Sequence, residues 1–312
     1  MRRSDGRVLP ALLLAVAVGA LAWWSLSSSG DGGELATGRD ASAAPVDGPR
    51  AVIPGAAGSV DLVCELLPPE RLAALPSQAE RYSGLRDPAS PYLARPRFAL
   101  FEAERLLAFE PDLVLAHSWQ SVETVARLRE AGVEVLEIED PADWDGLVAL
   151  VERLGEALGS QEAAERLLAR CEVRRQALAA RRAGRPELTA LAYSNGGTGG
   201  WMAGAGTTNH EILRLAGLRN LAADRDGHVQ VSFEELLVMD PDVLVVGSPA
   251  DAQEPGGTLA LLRNEPALAG LRAVADDRLV VLDSWLYTTL SQHLLDAAEE
   301  VLDQLEAFEP PR

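Results

Sequence analysis

The chain has no lysine. All 28 of its basic residues are arginine, set against 47 acidic ones, for a formal net charge of −19 over 312 residues. That balance excludes a nucleic-acid partner, because binding to phosphate is driven by counterion release from a basic surface. The missing lysine excludes a P-loop, whose lysine reaches the terminal phosphates of a nucleotide; the arginine-only pattern itself reads as codon bias. Cysteine is nearly absent too. Cys64 and Cys171 stand 107 positions apart among apolar neighbours, which excludes a disulfide-stapled miniprotein. Two buried thiols is the simpler reading, with one bridge between them as the alternative. Only four histidines are present, at 117, 210, 228 and 293. Those are too few for a bare zinc or manganese site that needs several converging His and carboxylates. A hydrophobic content of 47% excludes a disordered chain.

Dividing the length by about 150 residues per domain gives two domains with chain enough for real cores. The N-terminus departs from the average. Arg2, Arg3 and Arg7 precede an apolar run from Val8 to Leu26 that is interrupted by Pro10 and Gly19 and closed by Trp23 and Trp24. A positive start, a hydrophobic core and interfacial aromatics make residues 1–26 a secretion signal or a single-span membrane anchor. No Cys follows the run, so a lipoprotein anchor is excluded. Ala20-Leu21-Ala22 offers a cleavage site, and the two Trp offer the outer edge of an anchor. Export follows on either reading, to the periplasmic or extracellular face of the inner membrane, anchored there if the segment is uncleaved. Residues 27–49, rich in Gly, Ser, Ala and Asp, read as a flexible linker. Residues 1–27 carry three Arg and one Asp, so the acidic surplus belongs wholly to the exported part.

An internal repeat organises the rest. Glu104-Arg-Leu-Leu-Ala-Phe-Glu-Pro111-Asp112-Leu-Val-Leu-Ala recurs as Glu234-Glu-Leu-Leu-Val-Met-Asp-Pro241-Asp242-Val-Leu-Val-Val. Each copy reads as a short amphipathic helix stopped by Pro, then a strand buried on both faces as in a parallel sheet. Ser232 and Glu235 are spaced as a capping box before the second copy. Two copies imply two similar α/β lobes, at residues 50–140 and 186–312. Helices are expected at 60–67, 122–131, 209–216 and 292–307, and strands at 113–116, 133–138, 188–193, 243–246 and 279–282. Between the lobes, residues 141–185 read as a helical connector, almost unbroken helix from Asp143 to Arg182 and divided by Gly159-Ser160. The part from 161 to 182 is about 33 Å long at 1.5 Å per residue and lines up Ala164, Leu167, Leu168, Cys171 and Leu178 on one stripe.

Two α/β lobes, the duplicated Glu…Pro-Asp element and one long connecting helix together resemble the substrate-binding proteins of ABC importers for iron-siderophore, haem and cobalamin. The resemblance covers about residues 50–307. Its opening segment, Arg50–Leu62, is a divergent copy, whereas Asn209–Asn220 matches the second-lobe helix and Gly-x-x-Asn pattern more closely. The fold it implies is two Rossmann-like lobes with parallel sheets, joined by a single backbone helix and holding the ligand in a cleft between them. Such a protein captures a metal chelate, with Fe or Co as part of the cargo and no cofactor of its own, and delivers it to a permease dimer with its ATPase. By the same resemblance Glu104 and Glu234 sit on the outer rim and pair with Arg on the permease, where bidentate contacts fix the docking register.

Open α/β sheets place ligands at the carboxyl ends of their strands. His117 and Trp119 follow a first-lobe strand. His228 precedes the second repeat helix, and corrin-binding relatives carry aromatic side chains at the positions of His117 and His228. Tyr82 lies in the first-lobe loop that supplies a further ring contact there. Tyr193, Asn195, Trp201 and Met202 belong to a strand and Gly-rich loop of the second lobe, and Trp285 and Tyr287 follow the last strand. Aromatic and imidazole walls suit a large conjugated ligand, and His117, His228 or Tyr82 could donate axially to iron or cobalt. Arg81, Arg86, Arg95 and Arg97 cluster in the first-lobe loop, which keeps an anionic siderophore in play. An oxidoreductase is the competing enzyme reading, but Gly196–Gly206 matches neither Gly-x-Gly-x-x-Gly nor a P-loop, and no Gly-x-Ser-x-Gly elbow exists. A membrane-anchored sensing module of the same fold, without a transporter, is the other alternative.

Overall fold

The computed structural model describes residues 48–195, 200–248 and 257–308. The export segment at 1–26 and nearly all of the linker at 27–49 lie outside the described residues. In chain order the first half runs β1 (Val52–Pro54), α1 (Ala57–Leu66), β2 (Leu75–Pro76), α2 (Ala79–Tyr82), β3 (Arg97–Phe98), α3 (Ala103–Leu107), β4 (Leu113–His117), α4 (Val122–Glu130) and β5 (Glu134–Ile138). Two connecting helices follow, α5 (Trp144–Ala157) and α6 (Gln161–Arg182). The second half is β6 (Thr189–Asn195), β7 (Gly200–Ala203), α7 (Thr208–Leu215), β8 (Arg219–Asn220), β9 (His228–Val231), α8 (Phe233–Met239), β10 (Val243–Gly247), α9 (Thr258–Asn264), α10 (Arg272–Ala275), β11 (Leu279–Leu282), α11 (Ser284–Tyr287) and α12 (Leu294–Phe308).

The first half builds a sheet of order β1-β4-β5, parallel throughout, beside a small parallel β2-β3 pair. The second builds β11-β10-β6-β7-β9, with β8 also on β6. The parallel sheets are as expected, and the second carries one addition. β7 runs antiparallel to both β6 and β9, so a short antiparallel ribbon extends the parallel part. The cause is local. At Gly200 an added Cβ would come within 2.5 Å of the Tyr193 ring, and glycine is the residue that lets the chain double back so closely over that side chain.

Both repeats fold alike, and the reason for Pro-Asp is visible in each. Glu110 (φ 48) and Asp240 (φ 41) hold left-handed conformations, the Pro then blocks further helix, and the Asp carboxylate ties down the neighbouring strand. Asp112 accepts the backbone N–H groups of Arg50 (2.8 Å) and Ala51 (3.0 Å) at the entry to β1. Asp242 accepts the N–H of Thr189 (2.8 Å) and its hydroxyl (2.6 Å) at the entry to β6. Burial alone would raise the Asp242 carboxyl, but these Thr189 donors and nearby Arg272 outweigh it and hold the pKa below the ordinary carboxylate value.

Strand residues alternate between two environments. In β4, Leu113 and Leu115 point inward while Val114 and Ala116 point outward against α3 and α4; in β10, Val243 and Val245 point inward while Leu244 and Val246 point outward. The inward sets of both sheets join α1, α5, α6, α7 and α12 in one continuous core. Asp143 caps α5 by accepting the Gly146 N–H, and Gly159 (φ 60) makes the break before α6. The α6 stripe falls as expected, with Ala164, Leu167, Cys171 and Leu178 buried and Leu168 partly so. Its other flank is fastened to α12 by Arg174 on Asp296 and Glu299 and Arg181 on Asp303 and Glu306, and just past its end Arg185 also meets Glu306. Cys64 and Cys171 are free thiols, and burial pushes Cys64 up to about 12. Among the described residues no helix is long and apolar enough to cross a membrane.

Candidate functional site

At the carboxyl end of β4, His117 continues the inward alternation of Leu113 and Leu115 and is buried. Its Nδ1 lies 2.6 Å from Asp140 and its Nε2 lies 3.2 Å from the Ser59 hydroxyl on α1. The Ser59 hydroxyl itself donates to the Ala56 carbonyl at 3.0 Å, so the ring is held between a carboxylate and a hydroxyl that is already committed. Both ring nitrogens are therefore engaged, which argues against His117 as an axial donor. Two residues on, Trp119 is 51% exposed; its indole N–H donates to the other Asp140 oxygen at 3.2 Å, and its ring centroid lies 5.3 Å from that of His117. Gln120 completes the turn, accepting the His117 N–H and donating to the Gly55 carbonyl. Asp140 thus orients both a buried imidazole and an exposed indole.

The antiparallel ribbon decides the second half. Register pairs Ser194 with Trp201 and Trp201 with Gln230, and separately Tyr193 with Met202 and Met202 with Val229. Directly paired residues share a face. Ala190, Ala192 and Ala203 put the first set inward; Leu191, Tyr193 and Met202 belong to the outer core. Trp201 and His228 therefore project from the inward face, as a cleft requires. Tyr193 and Met202 do not. Tyr193 is fully buried on the far side, with its hydroxyl accepting from Asn195 at 3.0 Å, so its assignment to the cleft is corrected. His228 is exposed, yet enough protein surrounds the ring to lower its pKa, which leaves the imidazole neutral near pH 7.

The halves meet where α11 packs on α2. Trp285 on α11 is half-buried, with its ring edge-to-face against His293 at 5.1 Å. Burial would lower the His293 pKa, but its 2.7 Å contact with Asp296 and the charge of Asp61 raise it instead. Asp61 is buried on α1, accepts the Gly84 N–H (2.7 Å) and the Ser291 hydroxyl (3.2 Å), and has its carboxyl pushed up by desolvation. Tyr287 packs against Gly247, 3.1 Å from where a Cβ there would stand, and burial raises its phenol. Tyr82 ends α2 half-buried, with the Arg81 guanidinium 5.2 Å from its ring centre. Among the described residues no group of three or more His, Cys, Asp and Glu is placed to hold a metal ion.

The repeated glutamates are both exposed, at the first turns of α3 and α8. Their surroundings differ. Glu104 pairs with Arg127 at 2.8 Å, and the backbone N–H at its own position, then Arg127, draw its carboxyl below the ordinary value. Glu234 has no ion-pair partner among the described residues and borders a cavity of about 290 Å³ with Asn195, Gly200, Phe233 and Leu261. Ser232 caps α8 by accepting the Glu235 N–H, but the Glu235 carboxylate turns to Arg225 instead of closing a reciprocal box.

Residues 96–286 match the family described as periplasmic binding protein. The chain belongs to that family. This binding protein is 24% identical over 208 residues to an uncharacterized ABC transporter substrate-binding lipoprotein, YvrC, of Bacillus subtilis, covering 65% of this chain and 64% of that one. It is 31% identical over 180 residues to a cobalamin-binding protein of Halobacterium salinarum, covering 55% and 48%. The chain thus spans between about half and two thirds of the length of these relatives. Its fold matches that of the periplasmic heme-binding protein BhuT, solved with two hemes, at a TM-score of 0.70 and 25% identity over 84% of this chain and 99% of that one. Family membership removes the oxidoreductase alternative: this is a binding protein and not an enzyme.

Proposed function

We propose that the protein captures a metal chelate outside the cytoplasm and hands it to an ABC importer permease with its ATPase. What supports the reading is the placement of rings in both halves: His117 and Trp119 at the carboxyl end of β4, Trp201 and His228 on the inward face of the second sheet, and Trp285 and Tyr82 where α11 packs on α2. Flat rings on opposing walls suit a planar conjugated ligand that bridges them. The cargo classes are haem and cobalamin, which the relatives' names record, and ferric siderophores. Fe or Co arrives as part of the cargo, with His228 or Tyr82 as the side chains free to reach it. Closure around the ligand presents Glu104 and Glu234 at the spacing that the permease accepts, and residues 1–26 export the chain and either leave it or hold it at the membrane.

The test has two arms. Tryptophan fluorescence and absorbance titrations with haem, cobalamin and ferric siderophores should give saturable binding of at least one. A Glu104→Ala, Glu234→Ala double variant should then bind that ligand as wild type does yet fail to stimulate the ATPase of its transporter in proteoliposomes. Undiminished stimulation removes the docking assignment. Silence toward every chelate removes the cargo class.

A further inference from the structure

We propose that His293 is a positioning residue at the seam between the two halves and works there as a proton-operated latch: with both ring nitrogens protonated it holds the Gly84 loop and Trp285 in place, and on losing a proton it lets them loosen. That a ligand feels the latch rests on the chelate-binding reading; the latch itself does not. His293 comes from the second half, yet Gly84 of the first lies directly on its ring, where an added Cβ would stand 2.7 Å from Nε2. Asp61 Oδ1, the oxygen that accepts the Gly84 N–H at 2.7 Å, is 3.9 Å from the same Nε2. Asp61 Oδ2 accepts the hydroxyl of Ser291, two residues before His293. On the other side Nδ1 lies 2.7 Å from Asp296, whose second oxygen meets Arg174 of α6. Trp285 stands edge-to-face on the ring at 5.1 Å, and Tyr82 is two residues before Gly84.

Gln292 gives this ring two states. Its buried amide nitrogen lies 3.2 Å from Nε2, while the amide oxygen is buried and has no hydrogen-bond partner among the described residues. Against an unprotonated Nε2 the amide donates and its oxygen stays unserved. Against an Nε2–H the amide turns about its last bond and the oxygen accepts, which removes the cost of a buried, unpaired acceptor. The charged groups around the ring are Asp61 and Glu65 of α1, Arg174 of α6, Asp296 and Glu299 of α12, and Arg86 across Trp285. Burial disfavours the imidazolium, but the Asp296 hydrogen bond and the charges of Asp61, Asp296 and Glu65 outweigh it and raise the His293 pKa. The stabilisation is therefore full below the unfolded value and is lost as pH rises through the folded one. In acid the latch loses its anionic partner, because desolvation also pushes the Asp61 carboxyl up.

A pH titration of the ligand-free, full-length protein tests this, read by NMR of the histidine rings and by amide hydrogen exchange. The ring signal missing from His293→Gln should titrate at a higher pH in the fold than in urea. The protection factor of the Gly84 N–H should fall about tenfold as pH rises through that midpoint, the change that one pKa unit of coupling conveys. Gln292→Met keeps the bulk but removes the acceptor, so it should lower the His293 midpoint and flatten the Gly84 response. Ferric protoporphyrin IX should bind wild type more weakly above the midpoint than below it, and His293→Gln equally on both sides. A His293 midpoint at or below the unfolded value overturns the latch, as does Gly84 protection that ignores the titration. Probe affinity that is constant through the midpoint overturns the positioning role. No response to the probe removes the chelate-binding reading, and the ligand-free titration still decides the latch.

Discussion

In the first half the Pro-Asp element feeds a three-stranded sheet and ends on a buried histidine; in the second it feeds the middle of a six-stranded sheet whose outer ribbon carries an exposed one. The repeat itself is conserved to the level of a backbone tie, Asp112 on Ala51 and Asp242 on Thr189. What differs lies beyond it. His117 spends both nitrogens on Ser59 and Asp140, and the exposed aromatic surface there falls to Trp119. His228 keeps its ring neutral and open, beside Trp201 on the same face. The two copies supply equivalent scaffolds, and the side chains beyond them are where the halves diverge.

The largest expected break in this pairing is in the shared core. Leu115 and Val245 occupy matching positions of β4 and β10 and face the same continuous interior. Truncation to Ala should cost about 3 kcal/mol for Leu115 and about 2 kcal/mol for Val245, and calorimetry should show one transition in each variant. Two separable transitions would mean that the halves melt independently.

A smaller effect concerns the second-half aspartate and its pH dependence. The Asp242 carboxyl titrates below its unfolded value, so its stabilisation is full above about pH 4 and is lost as pH falls through the folded value. Asp242→Asn should lower stability by about 1 kcal/mol near neutrality, with the melting curves of variant and wild type converging in acid. A gap that stays constant down to the most acidic folded condition contradicts the assignment.

The smallest effect concerns the rim. Glu104 and Arg127 are both mostly in water, and such pairs contribute little once screened. Arg127→Ala should leave the thermal midpoint unmoved at any salt concentration. A clear drop would show that the first-half glutamate is structurally committed in a way that Glu234 is not.

Much of this architecture was legible from periodicity and punctuation. Pro111 and Pro241 marked the strand starts, and Gly159-Ser160 marked the break between α5 and α6. The cleft was less legible, for two physical reasons. Which face Tyr193 takes depends on the parity of an antiparallel register, and β7 is a four-residue strand made of residues that composition assigns to a loop. Likewise the partners that define His117 come from 58 residues upstream and 23 downstream, separations at which no local spacing rule operates. Asp140, Asp61 and His293 were passed over because a lone acid or histidine carries no signal until the fold gives it a neighbour. The short strands β2, β3 and β8 escaped for want of length.

The continuous interior also settles what kind of object a half is. Cut near Gly184, each fragment would carry an open hydrophobic wall: the inward faces of β1 and β4 on one piece, those of β6 and β10 with part of α12 on the other. Neither wall has a spare helix to cover it, because α6 serves both. The halves resemble each other in form but are not portable, and engineering that treats one as a transplantable module must carry the spine along with it.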